Sequence, residues 1–422
     1  MLEEWDARPR SIYIARYVPL IVLEAVTPYV DLLARIARDH RVAMIEWAEP
    51  MRPMLAKAMQ TIRWNPAPSP YTKGMSVAVI DTAVAGQPTN RAAVRSGNAS
   101  VPTAEGCLAN TWVKESLDAM SENSPWVPGP ICPCNDSDCA HGTAVAAILA
   151  GHMDSSKSRH PGVSPGTSIM SLRACTASDC DVPAIFRSLE AVLDRRKDIS
   201  LVNMSVAGCI DDDGRSSYAQ MVDRVAASGI PVVVALGNAR GCSVDQGQRL
   251  VPRPASASLA IVVSGVDDRG ARPMPFDQNL RGPRCDGLRP DIANELSRKP
   301  DIIAPAKEIA LGDSNVQLDG VSFAAPFVTG VIAGSVNHRS GAPSVCAIKC
   351  AIKESSRRTL PDHSAGKWHD EYGHGLLDGA ALLQSLQLGQ ACKPSKACEE
   401  RVRMVLQQSP PSRDDLEASS CR

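Results

Sequence analysis

Two kinds of hydrophobic pattern alternate along most of this chain. Short, almost continuous apolar runs are typical of strands buried on both faces, and the segments between them repeat apolar residues every three or four positions, as on one face of a helix. The predicted strands are residues 76–80, 168–174, 201–204, 231–236, 259–263 and 301–304. The predicted helices are residues 141–150, 182–197, 218–227 and 322–337. This order predicts an α/β fold, a mostly parallel sheet with helices on both faces.

The pattern changes on both sides of this region. Towards the N-terminus, a strand at 11–17, a helix at 29–37 and a strand at 42–47 are predicted. A stretch with three prolines then precedes the first strand of the main region, as is typical of a linker. The expected parts are a small N-terminal α+β unit at 1–64, a proline-rich linker at 65–73, the main α/β domain at 74–388 and a polar, cysteine-containing tail at 389–422.

Charge and hydropathy exclude two classes of partner. The formal net charge is -1, so no overall field attracts the protein to nucleic acid or to an anionic membrane. No stretch reaches the roughly 18 apolar residues that a membrane-spanning helix needs. We therefore expect neither a nucleic-acid nor a membrane partner, and we expect a monomer.

The chain contains 14 cysteines, a number that favours disulfides and an oxidising, secreted or extracytoplasmic location. Residues 1–10 carry three acidic side chains and no apolar core of a signal peptide. Three explanations stay open: a start further upstream, another export route, or cysteines that remain reduced. Cys346 and Cys350 lie four residues apart on a predicted helix, too far apart to bridge each other, but the pairing of the cysteines is otherwise undetermined.

Three residues with catalytic potential lie where predicted strands end or helices begin. Asp81 ends the strand 76–80, His141 begins a helix, and Ser322 begins another. In parallel sheets, ligands bind beyond the carboxyl ends of the strands. A serine hydroxyl becomes nucleophilic when a base removes its proton, and the base needs a third group to hold its tautomer. The three residues thus supply a nucleophile, a general base and an orienting acid.

The sequence around these residues resembles the subtilisin-like serine proteases, or subtilases. The resemblance runs from about Gly74 to Leu388 and includes the chain order Asp, His, Ser. Its motifs are Val79-Ile-Asp-Thr82, His141-Gly-Thr143, Gly162-Val-Ser-Pro165, Val202-Asn-Met-Ser205, Val234-Ala-Leu-Gly237-Asn238, Pro300-Asp-Ile-Ile-Ala-Pro305, Gly320-Val-Ser-Phe-Ala-Ala-Pro326 and Gly373-His-Gly-Leu-Leu-Asp378. It implies a subtilisin-like fold and a serine endopeptidase that forms an acyl-enzyme on Ser322, with His141 as base and Asp81 as orienting residue.

The resemblance also implies the remaining parts of the site. Asn238 would donate its side-chain amide to the oxyanion, together with the backbone N–H of Ser322. The segments that flank an extended peptide or protein substrate would be Ser205, Val206 and Ala207 on one side and Ala235, Leu236 and Gly237 on the other. By element order, residues 11–47 resemble an inhibitory prodomain. The N-terminal unit is thus expected to act as the inhibitor of its own catalytic domain, or else to be a permanent extension.

Some features depart from the family pattern or leave alternatives open. Ala83 stands where the family usually has glycine, and the interval between Asp81 and His141 is longer than in compact members. That interval holds Cys107, Cys132, Cys134 and Cys139, for which disulfides are favoured over a zinc site. No metal or other cofactor is expected to be required, and calcium stays open. The alternative function is a catalytically silent, subtilase-like binding module. Substrate preference, natural substrate and processing site are not determined by the sequence.

Overall fold

The structure is a computed structural model that forms two compact units, Met1–Arg52 and Pro53–Arg422. The residues that it describes are 11–14, 21–24, 38, 54–65, 76–85, 113–131, 137–151, 162–289, 294–310, 317–335, 343–358, 360, 367–387 and 392–407. In the first unit, β1 (Ser11–Ile14) pairs antiparallel with β2 (Ile21–Glu24). The strand predicted at 11–17 is thus present over Ser11–Ile14, and residues 15–17 lie outside the described residues. The predicted helix 29–37 and the predicted strand 42–47 lie outside the described residues.

The second unit alternates strands and helices in the order that the hydrophobic pattern predicts. Its described strands are β3 (Ser76–Asp81), β4 (Val113–Asp118), β5 (Val127–Pro128), β6 (Ser168–Arg173), β7 (Leu201–Met204), β8 (Val232–Ala235), β9 (Ile261–Asp267), β10 (Met274–Pro275), β11 (Ile302–Pro305), β12 (Ile309–Ala310) and β13 (Gln317–Leu318). Its described helices are α1 (Met54–Thr61), α2 (Ala140–Ala150), α3 (Val182–Asp194), α4 (Ser217–Ala227), α5 (Val321–Ser335), α6 (Val345–Ser355), α7 (Gly379–Gln387) and α8 (Lys396–Gln407).

Strands β3 to β11 form one large, mostly parallel sheet, and β12 and β13 pair antiparallel in a separate small sheet. The order of the large sheet is β10-β9-β8-β7-β3-β6-β4-β5, and β11 pairs with β9 in parallel. Short antiparallel strands, β5 and β10, pair with β4 and β9. Strands β3, β7 and β8 are buried along their whole length, as expected for a parallel sheet covered on both faces. The predicted α/β class is confirmed, and the carboxyl ends of β3, β7 and β8 meet at one edge of the sheet.

Helix α5 packs at the centre of this unit. All of its residues are buried except Ser322, near its N-terminus. A helix that is apolar on every side is typical of a core position. It contacts α2, α7 and strands β7, β8, β9 and β11. Ser322 is therefore carried by one of the most enclosed elements of the molecule.

The boundary of the N-terminal unit lies earlier than the sequence suggests. Residues 53–64, assigned above to the unit 1–64, belong to the second unit. Ala58 and Ile62 of α1 are fully buried, and the backbone carbonyl of Ile62 accepts a hydrogen bond of 2.7 Å from the N–H of Gly379. The indole N–H of Trp64 donates to the carbonyl of Val163 at 2.6 Å. The main domain therefore covers the apolar face of α1. The local sequence pattern could not predict this contact, because it depends on residues far away in the chain.

The described part of the polar tail expected from residue 389 onward, residues 392–407, packs against the main domain. It contains α8, which packs against α4 and buries Cys398 and Val405. The guanidinium of Arg401 donates to the fully buried carboxylate of Asp223 at 2.9 and 2.8 Å. Two disulfides, Cys346–Cys398 and Cys350–Cys392, connect this segment to α6. The exclusion of a Cys346–Cys350 bridge is thus confirmed.

Candidate active site

Asp81 lies at the carboxyl end of β3, with only 1% of its surface exposed. Its carboxylate oxygen Oδ1 accepts a hydrogen bond of 2.7 Å from the backbone N–H of Thr82. Its backbone carbonyl accepts hydrogen bonds from Ala174 and Cys175, which follow β6. Ala83, where the family usually has glycine, is fully buried. Sheet pairing therefore holds Asp81 in place.

His141 lies in the first turn of α2, and its Nδ1 is 2.6 Å from Oδ1 of Asp81. The N–H of Gly142 donates to the hydroxyl of Thr82 at 2.8 Å, and a Cβ at position 142 would collide with the backbone carbonyl of Thr82. Burial by itself lowers the pKa of His141. The negative charge and hydrogen bond of Asp81 outweigh burial, and the pKa lies above its ordinary value of 6.5.

The carbonyl of Ser322 has an unusual hydrogen-bond donor. Pro326 lies inside α5, four residues after Ser322, and proline has no N–H to give to the carbonyl four residues earlier. The hydroxyl of Ser205 donates to that carbonyl at 2.7 Å. The amide of Asn203 in turn donates to the Ser205 hydroxyl at 3.0 Å. A buried side-chain network therefore replaces the missing helical bond.

Asn238 follows β8 and is oriented by the start of α5. Its Oδ1 accepts a hydrogen bond of 3.0 Å from the N–H of Val321, which leaves the amide N–H groups of Asn238 available to another acceptor. The preceding residue, Gly237, has φ of 112°, a left-handed conformation that favours glycine. The N–H of Ala239 donates to the carbonyl of Gln278 at 2.9 Å and fixes the other side of the turn.

Most of the residues singled out in the sequence line one cavity of about 230 Å³. These are Asp81, His141, Ser322, Asn238, Ser205, Val206, Ala207, Ala235 and Gly237. Leu236 is an exception, because it is fully buried and its N–H bonds to the carbonyl of Val263 in β9. Side chains alternate along an extended segment, so the side chain of Leu236 faces away from the cavity, and its expected part in substrate binding stays a prediction.

The sequence reasoning did not identify two disulfides that border this cavity. Cys175–Cys180 follows β6, and Cys209–Cys242 joins the segments after β7 and β8. The pairing of cysteines far apart in sequence depends on tertiary proximity, so no local signal could have given the second bridge. Thr82 also lines the cavity, and it could have been found from its place beside Asp81 in the motif.

Groups that might otherwise bind a metal ion are engaged elsewhere. Among the described residues, Cys350, Glu354 and Cys392 approach within 4.8 Å of one another, but the two cysteines form a disulfide and offer no thiolate. Cys139 is also disulfide-bonded, which weakens the zinc alternative for its segment. Cys107, Cys132 and Cys134 lie outside the described residues. No helix within the described ranges is both long and apolar enough to cross a bilayer.

Known proteins resemble this chain in sequence and in fold. Residues 72–375 match the model of the subtilase family, Peptidase S8. Mycosin-4 of Mycobacterium tuberculosis is 24% identical over 279 residues, which make up 60% of this chain and 59% of the mycosin. A mutant protease domain of PatA matches with a TM-score of 0.53 at 18% identity, over 76% of this chain and 100% of that domain. Fervidolysin from Fervidobacterium pennivorans is a keratinolytic enzyme related to subtilisin. It matches with a TM-score of 0.51 at 20% identity, over 74% of this chain and 43% of the fervidolysin chain.

Together with the mostly parallel α/β fold, the family match identifies the chain as a serine-type peptidase. More particularly, the chain belongs to the subtilase family, whose model matches well over half of its length. The resemblance found in the sequence is thereby confirmed. The chain spans 59% of the length of the mycosin, so the activity and substrates of whole relatives are not carried over as findings.

Proposed function

We propose that this protein is a serine endopeptidase in which Asp81, His141 and Ser322 form the catalytic triad. The observation that carries the proposal is the 2.6 Å contact between Asp81 and His141 at a cavity that Ser322 also lines. The partners that fit such a site are peptide or protein substrates. No cofactor is needed for this chemistry, because the three side chains supply every proton transfer.

The hydrogen bond from Nδ1–H of His141 to Asp81 leaves Nε2 of the imidazole as the acceptor. His141 then removes the proton of the Ser322 hydroxyl while the serine oxygen attacks the peptide carbonyl. The imidazolium formed in this step is stabilised by the Asp81 carboxylate. It next donates its proton to the leaving amine, and a water molecule releases the acyl group from Ser322 by the same steps in reverse.

The oxyanion of the tetrahedral intermediate needs preorganised donors. The side-chain amide of Asn238 and the backbone N–H of Ser322 are proposed for this role. The bond from Val321 N–H to Asn238 Oδ1 supports it, because an amide held through its oxygen presents its N–H groups elsewhere. Asn238 is thus oriented before substrate binds, at no cost during the reaction.

A fluorophosphonate probe followed by peptide mass mapping tests the function. We expect the label on Ser322 in the native protein and none after heat denaturation. Ser322→Ala should abolish peptide hydrolysis and leave the circular dichroism spectrum unchanged. A folded protein that neither takes the label on Ser322 nor cuts peptides would instead be a silent binding module, the alternative function considered above.

The disulfides support a location in an oxidising, extracytoplasmic compartment. Every cysteine within the described ranges is disulfide-bonded. Alkylation of the native protein without reductant, followed by mass spectrometry, should therefore leave the cysteines at these positions unmodified. Free alkylation of these cysteines in active protein purified from its own cells would point to a reducing compartment.

A further inference from the structure

The Cys209–Cys242 disulfide joins the two segments that border the candidate cleft. Strands β7 and β8 are adjacent and parallel, so the segments that follow them leave the sheet side by side. The disulfide lies beyond Ala207 on one segment and beyond Asn238 on the other, with its Cα atoms 5.1 Å apart. Both cysteines line the cavity. The bridge therefore fixes the separation of the two walls at this end.

The walls also approach closely between the disulfide and the sheet. A Cβ added at Gly237 would lie only 3.1 Å from Cβ of Ala207 and 3.3 Å from Cδ1 of Leu280. The cavity volume of about 230 Å³ is below the roughly 300–1,000 Å³ of common small-molecule sites. The close approach of Ala207, Gly237 and Leu280 leaves little width for a substrate side chain between the two walls.

The charge of the residues that line the cavity also limits which substrate side chains it can accept. Among the described residues that line it, the ionisable side chains are Asp81 and His141, while the rest are uncharged. A charged substrate side chain between Ala207 and Gly237 would lose water without gaining an ionic partner there. Burial of an unpaired charge is costly, so uncharged side chains are favoured.

We propose that the Cys209–Cys242 disulfide, together with the methyl group of Ala207, determines substrate specificity. By preventing the walls from separating, the disulfide restricts the residue before the scissile bond to small, uncharged side chains such as alanine, serine or glycine. The inference rests on the proposed peptidase function and deepens it. A cross-link is effective in this role because one or two methylenes change selectivity only when the pocket cannot widen to accept them.

Peptides that differ only in the residue before the scissile bond test this proposal. With Ala, Ser, Leu, Phe, Glu and Lys at that position, kcat/KM should be roughly 100-fold higher for Ala than for Phe, and the charged peptides should be poor substrates. Cys209→Ser/Cys242→Ser should lower the Ala-to-Phe ratio by about 10-fold or more. A wild-type preference for Phe or for a charged residue, or an unchanged ratio in the variant, would overturn the proposal.

A matched control separates selectivity from stability. Cys350→Ser/Cys392→Ser also removes one partly exposed disulfide, which closes a comparable loop near the C-terminus, and it should keep the Ala-to-Phe ratio. If the first double variant does not fold, Ala207→Gly is the second variant, because it removes one methyl group from an exposed position. It should raise kcat/KM for Phe relative to Ala, and an unchanged ratio would contradict the proposal.

Fluorophosphonate labelling makes this failure distinguishable from failure of the proposed function. Native protein that takes the label on Ser322 but shows no size preference contradicts the specificity proposal alone. Native protein that takes no label contradicts the peptidase function, and with it the inference built on it.

Discussion

At the scale of single residues, the contact between Asp81 and His141 should set the pH at which the proposed base works. The pKa of His141 is raised above 6.5 by Asp81, so the imidazole becomes protonated, and unable to act as a base, already above that pH. The acidic limb of kcat/KM should therefore lie above pH 6.5. Asp81→Asn removes the charge that raises this pKa and leaves the burial that lowers it.

We therefore expect the acidic limb of Asp81→Asn at lower pH than that of the wild type, with kcat reduced by roughly 10⁴-fold because the tautomer is no longer held. The measurement is a pH profile of kcat/KM for both proteins. Asp179→Asn, which changes an exposed carboxylate, is the control and should keep the wild-type profile. A limb that does not move in Asp81→Asn would contradict the role of Asp81.

Asn238 offers a second prediction for a single residue. Asn238→Ala should lower kcat by roughly 10²–10³-fold with little change in KM, because the contact to the oxyanion forms in the transition state. Asn238→Asp keeps an oxygen to accept from Val321 N–H, but its charge repels the oxyanion. It should be at least as impaired in kcat, as steady-state kinetics would reveal. A loss confined to KM would indicate binding of the ground state instead.

At the scale of elements, α5 gives a prediction that no single position provides. Pro326 withholds the N–H that the carbonyl of Ser322 would receive in a regular helix, and Ser205 donates to it instead. Ser205→Ala should lower kcat by up to roughly 10-fold, the equivalent of one neutral hydrogen bond. Pro326→Ala restores a backbone donor, so it should recover most of this loss in the Ser205→Ala background.

The double-mutant cycle on kcat measures the coupling directly. If Ser205 acts through the Ser322 carbonyl, the two substitutions are non-additive by about 1 kcal/mol. Ser205→Thr retains the hydroxyl and should stay close to the wild type. Additive losses would show that Ser205 contributes through substrate contact and not through the position of α5.

The elements also show where the sequence pattern suffices. Strand β7 has the predicted bounds, because Leu201, Val202 and Met204 are apolar and the whole strand is buried on both faces. Strand β4 was not predicted, since Val113-Lys-Glu-Ser-Leu-Asp118 is mostly polar and becomes a strand through pairing with β6. Helix α8 is amphipathic with many charges, and its burial depends on a partner, α4, far away in sequence.

The candidate site was more predictable than the edges of the fold. Asp81, His141, Asn238 and Ser322 each lie at the end of a regular element, where the local motif fixes the backbone, and the structure brings them to one cavity. The separation of the walls was not predictable, because it depends on the Cys209–Cys242 bridge between segments 33 residues apart. The candidate residues could therefore be predicted from local motifs, whereas the width of the cleft could not.

At the scale of the whole molecule, the boundary between the two units limits where the chain is expected to be cut during maturation. A peptidase that becomes active inside the cell that makes it is hazardous, so a segment that inhibits it during folding is useful. Residues 11–47 resemble such a segment by element order, and if they are one, the cut falls in the stretch from 48 to 73 that precedes the first strand of the main domain. Helix α1 belongs to the second unit and buries Ala58 and Ile62 there. A cut after α1 would separate this helix, with its buried side chains, from the catalytic domain that it packs into.

We therefore expect maturation to cut the chain between Ala48 and Pro53, so that the mature enzyme begins with α1. N-terminal sequencing of active wild-type protein should give a start in this interval, while Ser322→Ala should keep the whole segment, because the enzyme's own site makes the cut. The released peptide, prepared separately, should inhibit the mature enzyme competitively. Fully active protein that still begins at Met1 would show that the N-terminal unit is a permanent extension, and a mature start beyond Trp64 would show that α1 is dispensable.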